Sequence, residues 1–199
     1  MGFLSYSLVK IKLLLTDPEF VFKRVKHEGY LEPLLYYTFL FVIFSILTLP
    51  ATLINGALLG SALQGMDRLF FFVLIPFGIL IGLLVAIAIM FGFAGLVHLF
   101  VRLFNKNSDF MQTFKAVAYG STPSLTIGII IAYLALVPIL GSLFIIPFVY
   151  NIVLVVIGLK SLQGIKTSRA AFAVIIPVLI LSILFLLTVL IFVLRAGLA

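Results

Sequence analysis

FKAVAYGSTPSLTIGIIIAYLALV, residues 114–137, opens with hydroxyls, a glycine and a proline, and closes as almost continuous hydrocarbon. At about 1.5 Å per residue, a helix from Ala116 to Val137 reaches across the ~30 Å apolar core of a bilayer. The rest of the chain agrees: of its 199 residues 64% are hydrophobic and only 10% charged, whereas about a quarter of the residues of a soluble domain are charged. A mean hydropathy of +1.39 is that of a membrane protein. The expected fold class is therefore all-α, a polytopic membrane helix bundle.

Five segments are long enough to cross. The spans are read at 33–54, 76–101, 116–137, 139–159 and 171–194. Pro33 suits an early helix position. The apolar run from Leu69 to Val101 holds 33 residues, roughly 50 Å of helix and too long for one perpendicular crossing. Leu69–Ile75 is accordingly read as a lead-in at the interface, with Pro76 and Gly78 marking a bend. Pro138 and Gly141 fall in the tight turn between the third and fourth spans.

Residues 1–32 precede the first span. Lys10 and Lys12 interrupt the first apolar residues and no small-residue cleavage site follows Leu15, so this stretch does not read as a removable signal. Tyr6 stands where a myristoylation pattern requires Ser or Thr. TDPEFVFKRVKHEGYLEP, residues 16–33, carries helix punctuation: Thr16 or Asp17 can cap, Pro18 fits the first turn, and Gly29 can end the helix. With Phe20, Val21, Phe22 and Val25 apolar and Lys23, Arg24 and Lys26 basic, it reads as a short interfacial helix. A plain juxtamembrane linker is the alternative.

Charge sets the expected orientation. Eleven Lys and Arg lie in residues 1–32, 102–115 and 160–171, against Arg68 and Arg195 on the other side. The positive-inside rule then puts the N-terminus and both basic loops in the cytoplasm and the C-terminus outside. The net charge of +7 follows from this flanking pattern and implies no nucleic acid.

Within the third span, Ala116, Gly120, Ser124, Gly128 and Ala132 recur every four residues, a register that lets a neighbouring membrane helix approach closely. Pro123 lacks an N–H and frees the carbonyl of Tyr119, so a kink is expected there, with nearby hydroxyls satisfying the freed group. Gly78, Gly82 and Ala86 form a similar ridge in the second span, a candidate partner for the third. Under a functional reading, Tyr119, Thr122 and Asn151 instead line a polar pocket at the kink, as in the broken helices of transporters.

Catalytic signatures are missing. There is no cysteine, no HExxH, no GxSxG and no phosphate-binding glycine loop. Asp17, Glu19, Glu28, Glu32 and Asp109 show no spacing that pairs carboxylates for chemistry. His98 reads as a packed imidazole or interface anchor rather than a ligand. No enzyme activity, cofactor or metal is expected.

Three motifs point to a family. A DPEFVFKRV segment before the first span, AYGSTP opening the third, and GLKSLQGIKTSRA between the fourth and fifth resemble the Yip1 family over most of the chain. The resemblance implies five membrane helices with a cytoplasmic N-terminus. Eukaryotic members act in vesicle traffic between endoplasmic reticulum and Golgi and associate with Rab-type GTPases. The 32 residues before the first span are shorter than the eukaryotic cytosolic region, so the likeness is to the short prokaryotic type, in a prokaryotic cell membrane. The expected function is an integral membrane adaptor or organiser whose loop residues Lys160, Lys166 and Arg169 meet a cytoplasmic or membrane protein or anionic headgroups; self-association is a further option. The alternative is a small-solute or lipid channel or transporter built around the kinked third span.

Overall fold

A computed structural model of the protein describes residues 3–58 and 68–197, with side chains over 5–54 and 75–195. The side chain of Arg68, counted in the charge balance, lies outside the described residues, as do the side chains of Leu69–Leu74. Every regular element among the described residues is helical. In chain order they are α1 (Phe3–Thr16), α2 (Pro18–Arg24) running into a 3-10 turn at Val25–His27, α3 (Leu31–Leu58), α4 (Arg68–Phe104), α5 (Phe110–Gly120), α6 (Thr122–Leu134), a 3-10 stretch at Pro138–Phe144, α7 (Ile145–Gln163) and α8 (Thr167–Gly197). Five segments are long and apolar enough to cross a membrane: Leu31–Ile54, Ile75–Phe104, Phe110–Leu134, Pro138–Gln163 and Thr167–Arg195.

Local chemistry explains most boundaries. Asp17 caps α2 by accepting from the Phe20 N–H at 3.3 Å, with Pro18 at the first position. Asp109 caps α5 through the Met111 N–H at 3.0 Å. Gly164 ends α7 in the left-handed conformation, φ 66°, where a side chain is disfavoured.

Four elements differ from the sequence expectation. The N-terminal segment holds two helices, because α1 precedes the capped α2; its apolar run is interrupted by Lys10 and Lys12 and shows no clean stripe. The second span continues as one helix through Pro76, with no separate lead-in. The third span is two helices, α5 and α6, that meet at Ser121. The fourth begins with the 3-10 stretch, so the turn before it falls at Ala135–Val137 instead of at Pro138 and Gly141.

Packing is concentrated at one end. Leu14 and Phe22 from the N-terminal helices, Val101 of α4, Phe114 and Tyr119 of α5 and Leu159 of α7 are fully buried together. By contrast the apolar residues of α8 from Leu184 to Leu194 are exposed, an arrangement that lipid accepts without cost. The third span is the central one, half of its apolar window being buried inside the bundle.

Two glycines set how closely the helices approach. A Cβ at Gly120 would lie 2.4 Å from Val155 Cγ2 and 3.2 Å from the Val155 backbone nitrogen. One at Gly158 would lie 2.9 Å from the Ala116 Cβ and from the Phe22 ring. Elsewhere Gly128 faces Phe44 and Phe144 at 3.3 and 3.4 Å, Gly82 faces Phe41 of α3 at 3.7 Å, and nothing approaches Gly78 within 4 Å. Gly120→Ala and Gly158→Ala are therefore expected to destabilise the bundle by about 1–3 kcal/mol through overpacking, while Gly78→Ala leaves it unchanged or firmer. Thermal unfolding of the three variants in one detergent checks the order.

Candidate functional site

The α5–α6 break frees backbone groups, which local hydroxyls and two other helices, α3 and α7, satisfy. Pro123 cannot donate to the carbonyl of Tyr119; Thr122 Oγ1 does so instead, at 2.6 Å. Its hydroxyl proton being used, Thr122 accepts from the buried Tyr36 hydroxyl of α3 at 3.1 Å. Ser121 Oγ donates to the carbonyl of Ala118 at 2.7 Å. On the other side of the break, the Ser124 N–H lies in the first turn of α6, where helix donors have no partner of their own. Asn151 of α7 supplies one: its Oδ1 accepts from Ser124 N at 3.2 Å and its Nδ2 donates to Ser124 Oγ at 2.6 Å.

Beside the break lies a cluster of charge and aromatic rings. Lys10, 5% exposed, reaches from α1 to Glu28 Oε1 at 2.8 Å. Its Nζ also donates to the Tyr119 hydroxyl at 3.1 Å and stands 4.4 and 4.6 Å from the ring centres of Tyr6 and Tyr119, with Tyr36 at 5.7 Å. These are cation–π distances. Glu28 accepts in addition from Tyr6 at 2.8 Å and from Tyr119 on its second oxygen. Burial lowers the Lys10 ammonium, opposed by its hydrogen bond to Glu28. Burial and the Glu28 contact push the Tyr6 phenol up to about 12.

Further contacts fasten the N-terminal segment, among them the Tyr150 hydroxyl of α7 donating to the carbonyl of Leu15 at 2.8 Å. Lys115, counted from sequence as a loop cation, is buried in α5 and donates to the carbonyl of Lys26 at 2.8 Å; Gln112 donates to the same carbonyl at 3.2 Å. A cation thus lies within the third span, where none was expected, because α5 begins at Phe110 and not at Ala116. Glu19 meets Lys160 at 2.5 Å with both side chains 44% exposed. That contact holds the Glu19 carboxyl below its ordinary 4.5 and occupies one of the three cations assigned to docking; Lys166 and Arg169 are exposed. At the loop ends, Gln163 joins three elements. Its amide donates to Thr113 Oγ1 at 3.0 Å and accepts from the Asp109 N–H at 3.2 Å, while Asn105 donates to the Gln163 carbonyl at 3.3 Å. His98 packs through Nδ1 on Thr113 Oγ1 at 3.1 Å. No group of three metal-ligating side chains occurs among the described residues.

The polar residues singled out from sequence fall in two places. Tyr119 and Thr122 are fully buried on the side of α3 and Glu28. Asn151 and Ser121 instead line a cavity of about 400 Å³ between α4, α5, α7 and α8. Lys10, Glu28, Tyr6, Tyr36 and Gly158 escaped sequence reasoning, since their partners lie far along the chain. In the structure Lys10 shares the buried side of α1 with Ser7 and Leu14.

AYGSTP, residues 118–123, thus joins four helices, and GLKSLQG, residues 158–164, supplies both the close approach at Gly158 and the Gln163 junction. Both lie within residues 12–190, over which the Yip1 domain matches the chain. The chain belongs to the Yip1 domain family. No curated protein and no solved structure gives a match. For this Yip1 domain, family membership and five apolar spans make it a multi-pass integral membrane protein.

Lys10→Met leaves Glu28 without its cation, and Glu28→Gln leaves Lys10 without its anion. Each is expected to cost about 3 kcal/mol, the double variant less than the sum; a double-mutant cycle on unfolding in detergent measures the coupling. The Glu19 carboxyl is lowered in the folded state, so its contribution is complete above pH 4.5 and is lost as pH falls through the folded value. The melting advantage of wild type over Lys160→Met should accordingly be constant at neutral pH and shrink on acidification below 4.5.

Proposed function

We propose that this Yip1-type membrane protein is an adaptor, holding its basic end in the cytoplasm and presenting it to an acidic surface of a cytoplasmic or membrane protein. The observation that carries the reading is convergence of the three basic segments. Asn105 to Gln163, Lys160 to Glu19 and Lys115 to Lys26 bind the 102–109 loop, the 160–169 loop and the N-terminal helices into one surface. On it Lys12, Lys23, Arg24, Lys26, Arg102, Lys106, Lys166 and Arg169 are exposed. A rigid surface keeps such cations at fixed spacing, which favours a partner of matching charge pattern over non-specific attraction. The orientation follows the positive-inside rule.

Lys166→Gln combined with Arg169→Gln should lower the yield of a crosslinked partner in native membranes about tenfold or more, at about 1 kcal/mol per basic residue. Topology is controlled in the same experiment, because the chain has no cysteine. Lys106→Cys should be shielded from an impermeant thiol reagent added outside, and Ser142→Cys should react. Undiminished crosslinking with that topology intact contradicts the adaptor role of this loop.

A further inference from the structure

The segment before the first span does not stay at the basic end of the bundle. The Tyr150 hydroxyl donates to the carbonyl of Leu15 at 2.8 Å. Tyr150 stands at the middle of the 26-residue span Pro138–Gln163, roughly 20 Å along the helix from Gln163. The rest of the path agrees. Lys10 meets the Tyr119 hydroxyl on the way in, and α1 then touches α6, the half of the third span beyond the break. On the way out Phe22 packs against Gly158, and the carbonyl of Lys26 reaches Lys115 in the head of α5. α1 and α2 are therefore a hairpin that enters from the basic end, turns at Thr16 and Asp17, and returns. The 14 residues of α1 make roughly 21 Å of helix, too short to cross and of the length of a re-entrant segment.

The polarity of the turn conflicts with hydrocarbon at that level. Lys12, Thr16 and Asp17 are exposed there, and Glu19 with Lys160, each 44% exposed, follow on the way out. A charge facing acyl chain is costly, and a bilayer meets a short apolar surface by thinning. Lys12 can snorkel, since helical side chains tilt toward the N-terminus, here the basic end. Asp17 is too short for that and is held as the cap of α2 by the Phe20 N–H at 3.3 Å. The far side of the bundle offers the opposite surface. α8 carries no charged residue from Ala170 to Leu194, and its exposed residues include Ile180, as far into α8 as Tyr150 lies from the end of α7.

We infer that α1 and α2 form a re-entrant wedge that draws the headgroups and water of the basic-side leaflet down to Asp17, thinning the bilayer beside α7 and leaving it at full thickness beside α8. The full chain, which has no cysteine of its own, tests this in nanodiscs, where both faces are open to reagent. A charged thiol reagent needs a thiolate, which forms in water and not in hydrocarbon. Thr16→Cys should react within about tenfold of Lys106→Cys in the exposed 102–109 loop, and Ile180→Cys about a hundredfold or more slower. A phospholipid with a diazirine on its headgroup should label the α1–α2 turn of the wild type well above α8 at Ile180. Unreactive Thr16→Cys overturns the thinning, as does a reactive Ile180→Cys, which would mean that this whole end projects from the bilayer. Reactive Thr16→Cys without headgroup labelling of the turn also overturns it, leaving a water-filled crevice in an undisturbed leaflet. The labelling is read in wild type, so the test stands if a variant fails to fold.

Discussion

A proline at the start of α6, midway along a membrane span, leaves a carbonyl without its donor, and inside a bilayer no water replaces it. The whole packed end of this protein is arranged around that constraint. Thr122 takes the Tyr119 carbonyl, Tyr36 takes Thr122, and Asn151 takes the Ser124 N–H on the far side of the break. Because these partners come from α3 and α7, satisfying the break also fixes where those helices stand. Gly120, at the same level, removes the side chain that would hold α7 away.

The same joint organises the charged segment before the first span. Tyr119 turns its ring and hydroxyl toward Lys10 and Glu28, so α1 docks on a buried ion pair and aromatic rings more than on hydrocarbon. Leu14, one turn on, enters the core, while Leu8 and Val9 on the other face are exposed. A pair of this kind contributes modest net stability but is costly to break from one side, a combination that specifies one docking geometry. Lys115 on the Lys26 carbonyl and Glu19 on Lys160 extend that geometry to α5 and α7. The basic residues that flank the spans consequently form one surface.

Much of the architecture is legible in the sequence because the bilayer enforces it. Hydrocarbon runs of sufficient length must be helices, and three short motifs carry the Yip1 resemblance that the domain match establishes. The small-residue register and the proline of the third span identify the central helix and the place where it breaks. What the sequence hides is long-range and polar. Lys10 meets a tyrosine 109 positions away, and nothing in local periodicity links the two. Lys115 reads as a loop cation because its α5 neighbours are only weakly apolar, yet it lies buried in the head of the span. Lys160 reads as free because its anion, Glu19, is 141 positions distant. Tyr119, Thr122 and Asn151 look like one pocket in sequence because all three sit near the break, but they leave it in two directions.

Hydrogen–deuterium exchange of the full chain in nanodiscs tests most directly whether the break is the joint on which the N-terminal helices are fastened. Amides of α1 and of α2 should be protected in wild type, and those of α1 should lose protection in Tyr119→Phe while α3 and α7 keep theirs. Exchange of α1 at the rate of a free peptide in wild type, or unaltered protection in Tyr119→Phe, would contradict it.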